Sequence, residues 1–289
     1  MPSDGKTKWS PQWEAVAGVE DLITLALAED VGPGDVTTDV LVDPTATGTG
    51  KILAKEPLVA AGLPIAHRVF LRLDPDAEFC AHHQDGAMVE AGTVLATVSG
   101  NMRALLTAER TALNFLQRLS GVATCARHWA ARAESLRIQV RDTRKTTPGF
   151  RVLEKYAVRV GGGKNHRMGL FDGVLIKDNH IAACGSIAKA VAKAREGLHH
   201  LLRVEVEAKT LSQVEEALSA GADVIMLDNM DDAMVAEAME KISGRALVEV
   251  SGQVTPDRLA ALSRLGVDFV SVGALTHSAS AVDISMDIR

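Results

Sequence analysis

Beyond residue 135 the chain alternates short apolar runs with amphipathic stretches. The apolar runs fall at 137–141, 173–176, 203–206, 224–227, 247–250 and 269–272. Their richness in Val, Ile and Leu predicts parallel strands covered by helices. Helical stretches separate them at 186–196, 211–220, 232–242 and 256–265. Ser186, Thr210, Asp231 and Thr255 stand where helix N-caps belong, and Pro256 takes a first helical position. Polar residues close the successive strands at 142, 178, 207, 228, 251 and 273. Those separations of 36, 29, 21, 23 and 22 residues have the rhythm of βα units. Right-handed crossovers would bring every strand end to one face. Six strands are clear, and 156–160 offers a short seventh candidate.

The first part of the chain has a different texture. Up to about residue 110 it is broken by Gly, Pro and Asp. A short helix is predicted at 22–29, a loop at 32–39, and strands at 50–54 and 78–81. The stretch 85–100 alternates apolar and polar residues between glycines, a β signal that resembles the hairpins of lipoyl-type domains without their modified Lys. A helix follows at 105–133, with Thr107 and Arg110 in its first turns. Gly121 is expected to bend or break it, since glycine costs about 1 kcal/mol relative to alanine inside a helix.

Composition narrows the classes. Among 289 residues, aromatics make up 3%, so the core rests on aliphatic side chains. The net charge of −6 argues against nucleic acid as main partner. Cys80, Cys125 and Cys184 are widely spaced with no CxxC pair, which suits structural thiols in a reducing cytoplasm. The opening M-P-S-D-G-K-T-K-W-S has no apolar signal core, and no apolar run reaches membrane-spanning length.

Charge is unevenly placed. Residues 141–180 hold nine Lys or Arg against four Asp or Glu, a local excess of +5 in an acidic chain. Such a cluster predicts a focused anion site. Arg144, Lys145, His166, Arg167 and Lys177 fall at predicted strand ends, where barrels of this kind carry their chemistry. Arg suits a carboxylate through its planar fork. His166, amid cations, is expected to be a neutral hydrogen-bond donor to the ligand. Glu207 and Asp228 end adjacent strands. They can hold a divalent metal or neutralise Lys145 and Lys177. Glu205, two residues before Glu207, points to the same side of its strand. Ser251-Gly252 and Gly273-Ala274 offer backbone amides at the last two strand ends, as phosphate sites do.

The motifs T-A-E-R-T-A-L-N-F-L-Q-R-L-S-G-V-A-T (107–124), D-T-R-K-T-T-P-G (142–149), G-G-G-K-N-H-R-M-G (161–169) and V-L-I-K-D-N-H-I (174–181) carry a resemblance. So do V-E-V-E-A (204–208), I-M-L-D-N-M (225–230), V-E-V-S-G-Q-V-T (248–255) and V-S-V-G-A-L-T-H (270–277). Together they resemble the quinolinate phosphoribosyltransferase family over nearly the whole chain. The resemblance implies an N-terminal open-faced α/β sandwich (1–115) and a C-terminal seven-stranded α/β barrel (116–276), with 277–289 packing back on the first domain. It implies a decarboxylating glycosyl transfer in NAD biosynthesis. Quinolinate and phosphoribosyl pyrophosphate would give nicotinate mononucleotide, pyrophosphate and carbon dioxide, with Mg²⁺. On this basis Arg110, Arg144, His166, Arg167 and Lys177 hold quinolinate, and Lys145 lies between it and the phosphoribosyl group. Glu207 and Asp228 meet the ribose and the metal; Ser251, Gly252, Gly273 and His277 bind the 5′-phosphate. A homodimer with shared sites is implied, Arg110 crossing between subunits, with a hexamer as a higher assembly. Lys164, Gly173 and Gln253 depart from the family's usual residues. A related barrel phosphoribosyltransferase acting on nicotinate, a molybdenum-associated paralogue, and a non-catalytic homologue are the alternatives.

Overall fold

The computed structural model describes residues 18–289; the N-terminal stretch read above for a signal core lies outside them. In chain order the elements are α1 (Val19–Val31), α2 (Val36–Leu41), β1 (Thr47–Ala54), β2 (Leu58–Val59), α3 (Leu63–Leu73) and β3 (Glu78–Ala81). Then come β4 (Met88–Val89), β5 (Val94–Asn101), α4 (Met102–Ala133), β6 (Gln139–Arg141), α5 (Arg151–Val160) and β7 (Val174–Ile176). They continue with α6 (Asp178–Cys184), α7 (Ile187–Gly197), β8 (Val204–Ala208), α8 (Leu211–Ser219), β9 (Val224–Asp228) and α9 (Asp232–Ile242). The last are β10 (Leu247–Ser251), a 3₁₀ turn at Pro256–Arg258, α10 (Leu259–Leu265), β11 (Phe269–Ser271), α11 (Ala274–His277) and β12 (Ile284–Ile288).

Two compact units divide the chain. The first takes the chain up to Cys125 together with Pro148–Gly161 and Ala279–Arg289; the second takes Ala126–Thr147 and Gly162–Ser278. The division thus falls within α4, later than residue 115, and it returns α5 to the first unit.

In the first unit, the order β12-β1-β5-β3 makes an antiparallel sheet. α3 buries Ile65, Ala66, Val69 and Phe70 on one face. α1 buries Val19, Ile23 and Leu27, an i, i+4 stripe. Asp35, expected in a loop, instead caps α2 by accepting from the Thr38 amide and hydroxyl. The run 156–160, a strand candidate by composition, is the second half of α5. Arg118 on α4 explains that placement: its guanidinium donates to the fully buried Glu154 at 2.5 Å and to the Ala279 carbonyl at 2.5 Å. Tyr156 donates to Asp85 at 2.7 Å, and Asp85 accepts from the Gly62 and Leu63 amides at the start of α3. Tertiary hydrogen bonding therefore outweighs the β propensity of a Tyr/Val-rich segment.

In the second unit, six parallel strands take the order β6-β11-β10-β9-β8-β7. Lys164 forms a lone parallel bridge to Arg141 on the far side of β6, so a seventh strand position survives as one residue. Its amide donates to Val140 O, and its carbonyl accepts from the Asp142 amide. Three predicted caps form: Ser186, Thr210 and Asp231 accept from the Lys189, Gln213 and Met234 amides, whereas Thr255 precedes the 3₁₀ turn without a side-chain cap bond. Val204, Val206, Ile225, Leu227, Val248 and Val250 are buried and alternate with residues of the opposite face. That opposite face is polar. It carries Glu205, Glu207, Asp228, Glu249, Ser251 and Ser271.

α4 runs unbroken through Gly121. An added Cβ there would stand 2.0 Å from the Ser280 carbonyl oxygen, so the missing side chain admits the C-terminal segment. Helix propensity alone favours Gly121→Ala by about 1 kcal/mol. Overpacking costs roughly 1–3 kcal/mol and acts in the opposite direction. Gly121→Ala is expected to lower the urea midpoint of unfolding; a raised midpoint would show that propensity wins.

Candidate active site

The C-terminal ends of the parallel strands enclose a cavity of about 480 Å³. Arg144, Lys145, His166, Arg167, Lys177, Glu207, Asp228 and Ser251 line it, together with Thr143, Leu175, Met226, Asn229 and Ser271. Eight of the residues singled out from sequence therefore meet in one place. Gly252, Gly273 and His277 flank it. Gly252 has φ 79° and a Cβ there would meet Asn229 Oδ1 at 2.2 Å, so conformation and space both require glycine. Gly273 leaves room for the Lys145 and His277 side chains, each 3.0 Å from where its Cβ would be. Thr276 Oγ1 donates to the Lys145 carbonyl at 2.7 Å, holding that residue from behind. Arg110 is exposed on α4 in the first unit and does not line the cavity.

The charges are unequally satisfied. Lys177 Nζ meets Glu207 Oε2 at 2.5 Å, so that carboxylate already has a cationic partner. Arg144, Lys145 and Arg167 make no salt bridge with any described residue. The Arg167 guanidinium donates to the Gly173 carbonyl at 3.0 Å. Burial, and after it the neighbouring Arg144, hold Arg167 below the usual guanidinium range. Two cations that repel one another in a cavity favour an anion between them.

The loop that carries Arg167 is anchored from several sides. Asp142, fully buried, accepts from Asn165 Nδ2 at 2.5 Å and from the His166 amide at 2.9 Å. His166 Nδ1 accepts from the Arg167 amide at 2.8 Å, which leaves the ring proton on Nε2. Nε2 lies 3.2 Å from Glu205 Oε2 and 3.6 Å from Glu249 Oε1. The ring thus donates to Glu205, whereas the sequence alone suggested a donor to the ligand. Behind His166 and Arg167 lies a second cavity of about 430 Å³, reaching Arg141, Arg203, Glu205, Glu249 and Phe269.

Sequence reasoning missed Thr143, Leu175, Met226, Asn229 and Ser271. Alternation could have found Leu175 and Met226, each two residues before a singled-out polar residue. Asn229 has positive φ, 57°, a conformation its type tolerates better than most. Nothing in the sequence pattern marked Ser271 or Thr143. Glu249 was also passed over, although it sits two residues before Ser251 on the same strand face.

A cationic wall opposite two carboxylates, at the C-terminal end of a parallel α/β sheet, defines a barrel-type enzyme for anionic substrates. Comparison with known proteins gives the family. The models described as quinolinate phosphoribosyl transferase, N-terminal domain and C-terminal domain match residues 35–120 and 122–287. The chain belongs to the quinolinate phosphoribosyltransferase family. A Bacillus subtilis protein named "Probable nicotinate-nucleotide pyrophosphorylase (carboxylating)" is 44% identical, the match covering 93% of each chain. A Synechocystis protein of the same name is 46% identical over 91% of this chain and 90% of its own. The crystal structure of NadC from Streptococcus pyogenes superposes with a TM-score of 0.90 at 42% identity, covering 98% of this chain and 99% of that one.

Asp142→Ala would remove the acceptor that Asp142 offers to the Asn165 side chain and the His166 amide, at about 1 kcal/mol for each lost hydrogen bond. The expected outcome is a lower unfolding midpoint and faster amide hydrogen exchange at 165–167. Unchanged exchange there would show that other contacts suffice to hold the loop.

Proposed function

We propose that the cavity binds quinolinate beside phosphoribosyl pyrophosphate, and that the chain is a carboxylating nicotinate-nucleotide pyrophosphorylase of NAD biosynthesis. Its products are nicotinate mononucleotide, pyrophosphate and carbon dioxide. The observation that supports this most is the crowding of Arg144 and Arg167, with no salt-bridge partner for either, on the wall opposite Glu207 and Asp228. A small dianion relieves that repulsion, and two planar guanidinium groups suit two adjacent carboxylates.

The chemistry follows from the charges. Arg144 and Arg167 orient the pyridine dicarboxylate, and Lys145 stands between it and the phosphoribosyl group. The pyridine nitrogen forms its bond to the anomeric carbon as the bond to pyrophosphate breaks. Positive charge develops on the ribose in that step, and the Glu207 and Asp228 carboxylates favour it. The positive charge on the new pyridinium nitrogen then stabilises the electron pair left on the ring carbon when the neighbouring carboxylate departs as carbon dioxide, and that carbon takes a proton. Half-buried Arg167 keeps that carboxylate poorly hydrated before it departs. Lys177 shares Glu207 with the ribose hydroxyls, while Ser251, Gly252, Gly273 and His277 take the 5′-phosphate.

Glu207 and Asp228 offer carboxylate oxygens on adjacent strands, which is the donor type Mg²⁺ takes. When bound there, Mg²⁺ neutralises charge on the departing pyrophosphate. The active form on this reading is a homodimer in which Arg110 of the partner subunit completes the quinolinate clamp. Cytoplasmic placement accords with three free cysteines and with the lack of any described helix long and apolar enough to cross a membrane.

Purified protein given quinolinate, phosphoribosyl pyrophosphate and Mg²⁺ is expected to release carbon dioxide and nicotinate mononucleotide. Product from nicotinate but none from quinolinate would overturn this reading. Arg144→Ala is expected to raise KM for quinolinate by about tenfold or more, the scale of a lost charge-assisted hydrogen bond, with a smaller effect on phosphoribosyl pyrophosphate. Mixing Arg110→Ala with Lys145→Ala protein, each inactive alone, should restore roughly a quarter of wild-type activity, because each mixed dimer rebuilds one of its two sites. No recovery on mixing would place Arg110 outside a shared site.

A further inference from the structure

The interior of a parallel barrel is ordinarily filled by branched aliphatic side chains. Here β8 and β10 each place a buried carboxylate there: Glu205 is 7% exposed and Glu249 is 1% exposed. The Oε1 atoms of both are shut away from solvent without a hydrogen-bond partner. Neither is among the groups given to the ligand above. Carboxylates in such places are expensive to keep unless they hold something.

Glu205 holds the His166 ring by a hydrogen bond, and Glu249 packs against it. Nε2 faces Glu205 Oε2 at 3.2 Å and Glu249 Oε1 at 3.6 Å. The other ring nitrogen takes the Arg167 amide at 2.8 Å. His166 and Arg167 form the shared wall of both cavities. The ring is therefore a strut between the interior carboxylates and the backbone of an arginine in the clamp.

We propose that Glu205 and Glu249 are positioning residues for the dicarboxylate end of the cavity, acting through the His166 ring to fix the place of Arg167. The proposal rests on the assignment of that cavity to quinolinate. The same three side chains have the composition of a cation site. Nδ1 accepts the Arg167 amide, however, so Nε2 carries the proton and cannot also be a metal ligand.

The strut also has a protonation state. Four elements face Glu249: Glu205 from β8, His166 from its loop, Ser271 from β11 and Arg141 from β6. Burial, then Glu205, push the Glu249 carboxyl up to about 7, against the opposing pull of His166, Ser271 and Arg141. Glu249 thus holds its proton beside the Glu205 carboxylate in slightly acid solution. The folded-state value lies above the ordinary one of 4.5. The contribution to stability is therefore complete below about 4.5 and is lost as pH rises through about 7. Ionisation places two anions around one neutral ring and loosens it.

The test compares wild type, Glu249→Ala and Glu249→Gln for steady-state constants and for quinolinate binding by calorimetry, between about pH 6 and about pH 8, either side of the Glu249 transition. Glu249→Ala is expected to raise KM and Kd for quinolinate about tenfold, the order of effect expected when a group that positions a binding residue is lost, leaving KM for phosphoribosyl pyrophosphate unchanged. Glu249→Gln, which mimics the protonated carboxyl, should rescue quinolinate affinity near pH 6 and abolish the weakening that wild type shows on going to pH 8. Equal shifts in both KM values, a fall in kcat alone, or an identical pH profile for Glu249→Gln would overturn the proposal while leaving the quinolinate assignment standing. Wild type that binds no quinolinate would overturn both. Should Glu249→Ala fail to fold, the pH comparison between wild type and Glu249→Gln decides alone.

Discussion

Charge placed inside a parallel sheet has to be matched from within or completed from outside, and that requirement organises the second unit. Inward positions that other barrels give to Val, Ile and Leu here carry Glu205, Glu207, Asp228 and Glu249, with Arg141 and Lys177 among them. Some of this charge is balanced internally. Lys177 meets Glu207, His166 meets Glu205, and Arg141 lies 3.7 Å over the Phe269 ring. The surplus is cationic and local: Arg144, Lys145 and Arg167 have no salt bridge with any described residue, and burial, then the neighbouring Arg144, hold Arg167 below the usual guanidinium range. Such a surplus favours an anion in the cavity.

Backbone geometry decides how near such a ligand can come. Gly252 and Gly273 lie just beyond β10 and β11; a side chain at Gly252 would collide with Asn229, and one at Gly273 would crowd His277 and Lys145. Bare amides remain at the ends of β10 and β11, beside the carboxylates of β8 and β9. Main-chain N–H groups suited to a phosphate and carboxylates suited to hydroxyl groups are thereby placed next to each other by strand order alone. The basic wall comes from the segments just beyond β6 and β7, the two ends of that order, and from the 164–173 loop.

Much of this was legible before the fold was seen, for identifiable reasons. Strand ends repeat at βα spacing, so a list of the residues just beyond each apolar run is a list of one face of the sheet. That is why Arg144, Lys145, Lys177, Glu207, Asp228 and Ser251 meet in one cavity. The failures have equally specific causes. The run 156–160 resembles a strand because Tyr and Val favour one, but Tyr156 and Glu154 are tied to Asp85 and Arg118, partners far away in sequence. Gly121 suggests a break because its close neighbour, Ser280, is invisible to helix propensity. His166 was read from the cations adjacent in sequence, whereas its ring is claimed by Glu205 on a strand 39 residues away. Local pattern fixes which face a residue takes. It does not fix which long-range partner takes hold of the residue there.

The repeated V-E-V-E on β8 makes the same point at atomic scale. Glu205 and Glu207 share a strand face, and nothing in their immediate sequence separates them. Two residues of rise along the strand, about 6.6 Å, carry one carboxylate to the cavity and Lys177 and leave the other against the His166 ring. Glu249 and Ser251 divide β10 in the same way, the serine lining the cavity and the glutamate closed in beneath it. Depth along the strand therefore sets the chemistry. At the rim a carboxylate lines the cavity and meets Lys177; in the interior, burial and then the neighbouring Glu205 drive Glu249 toward its protonated form. A strut built from such a pair carries one negative charge rather than two and stays strongly directional. That is what is required beneath an arginine whose own charge must stay committed to the ligand.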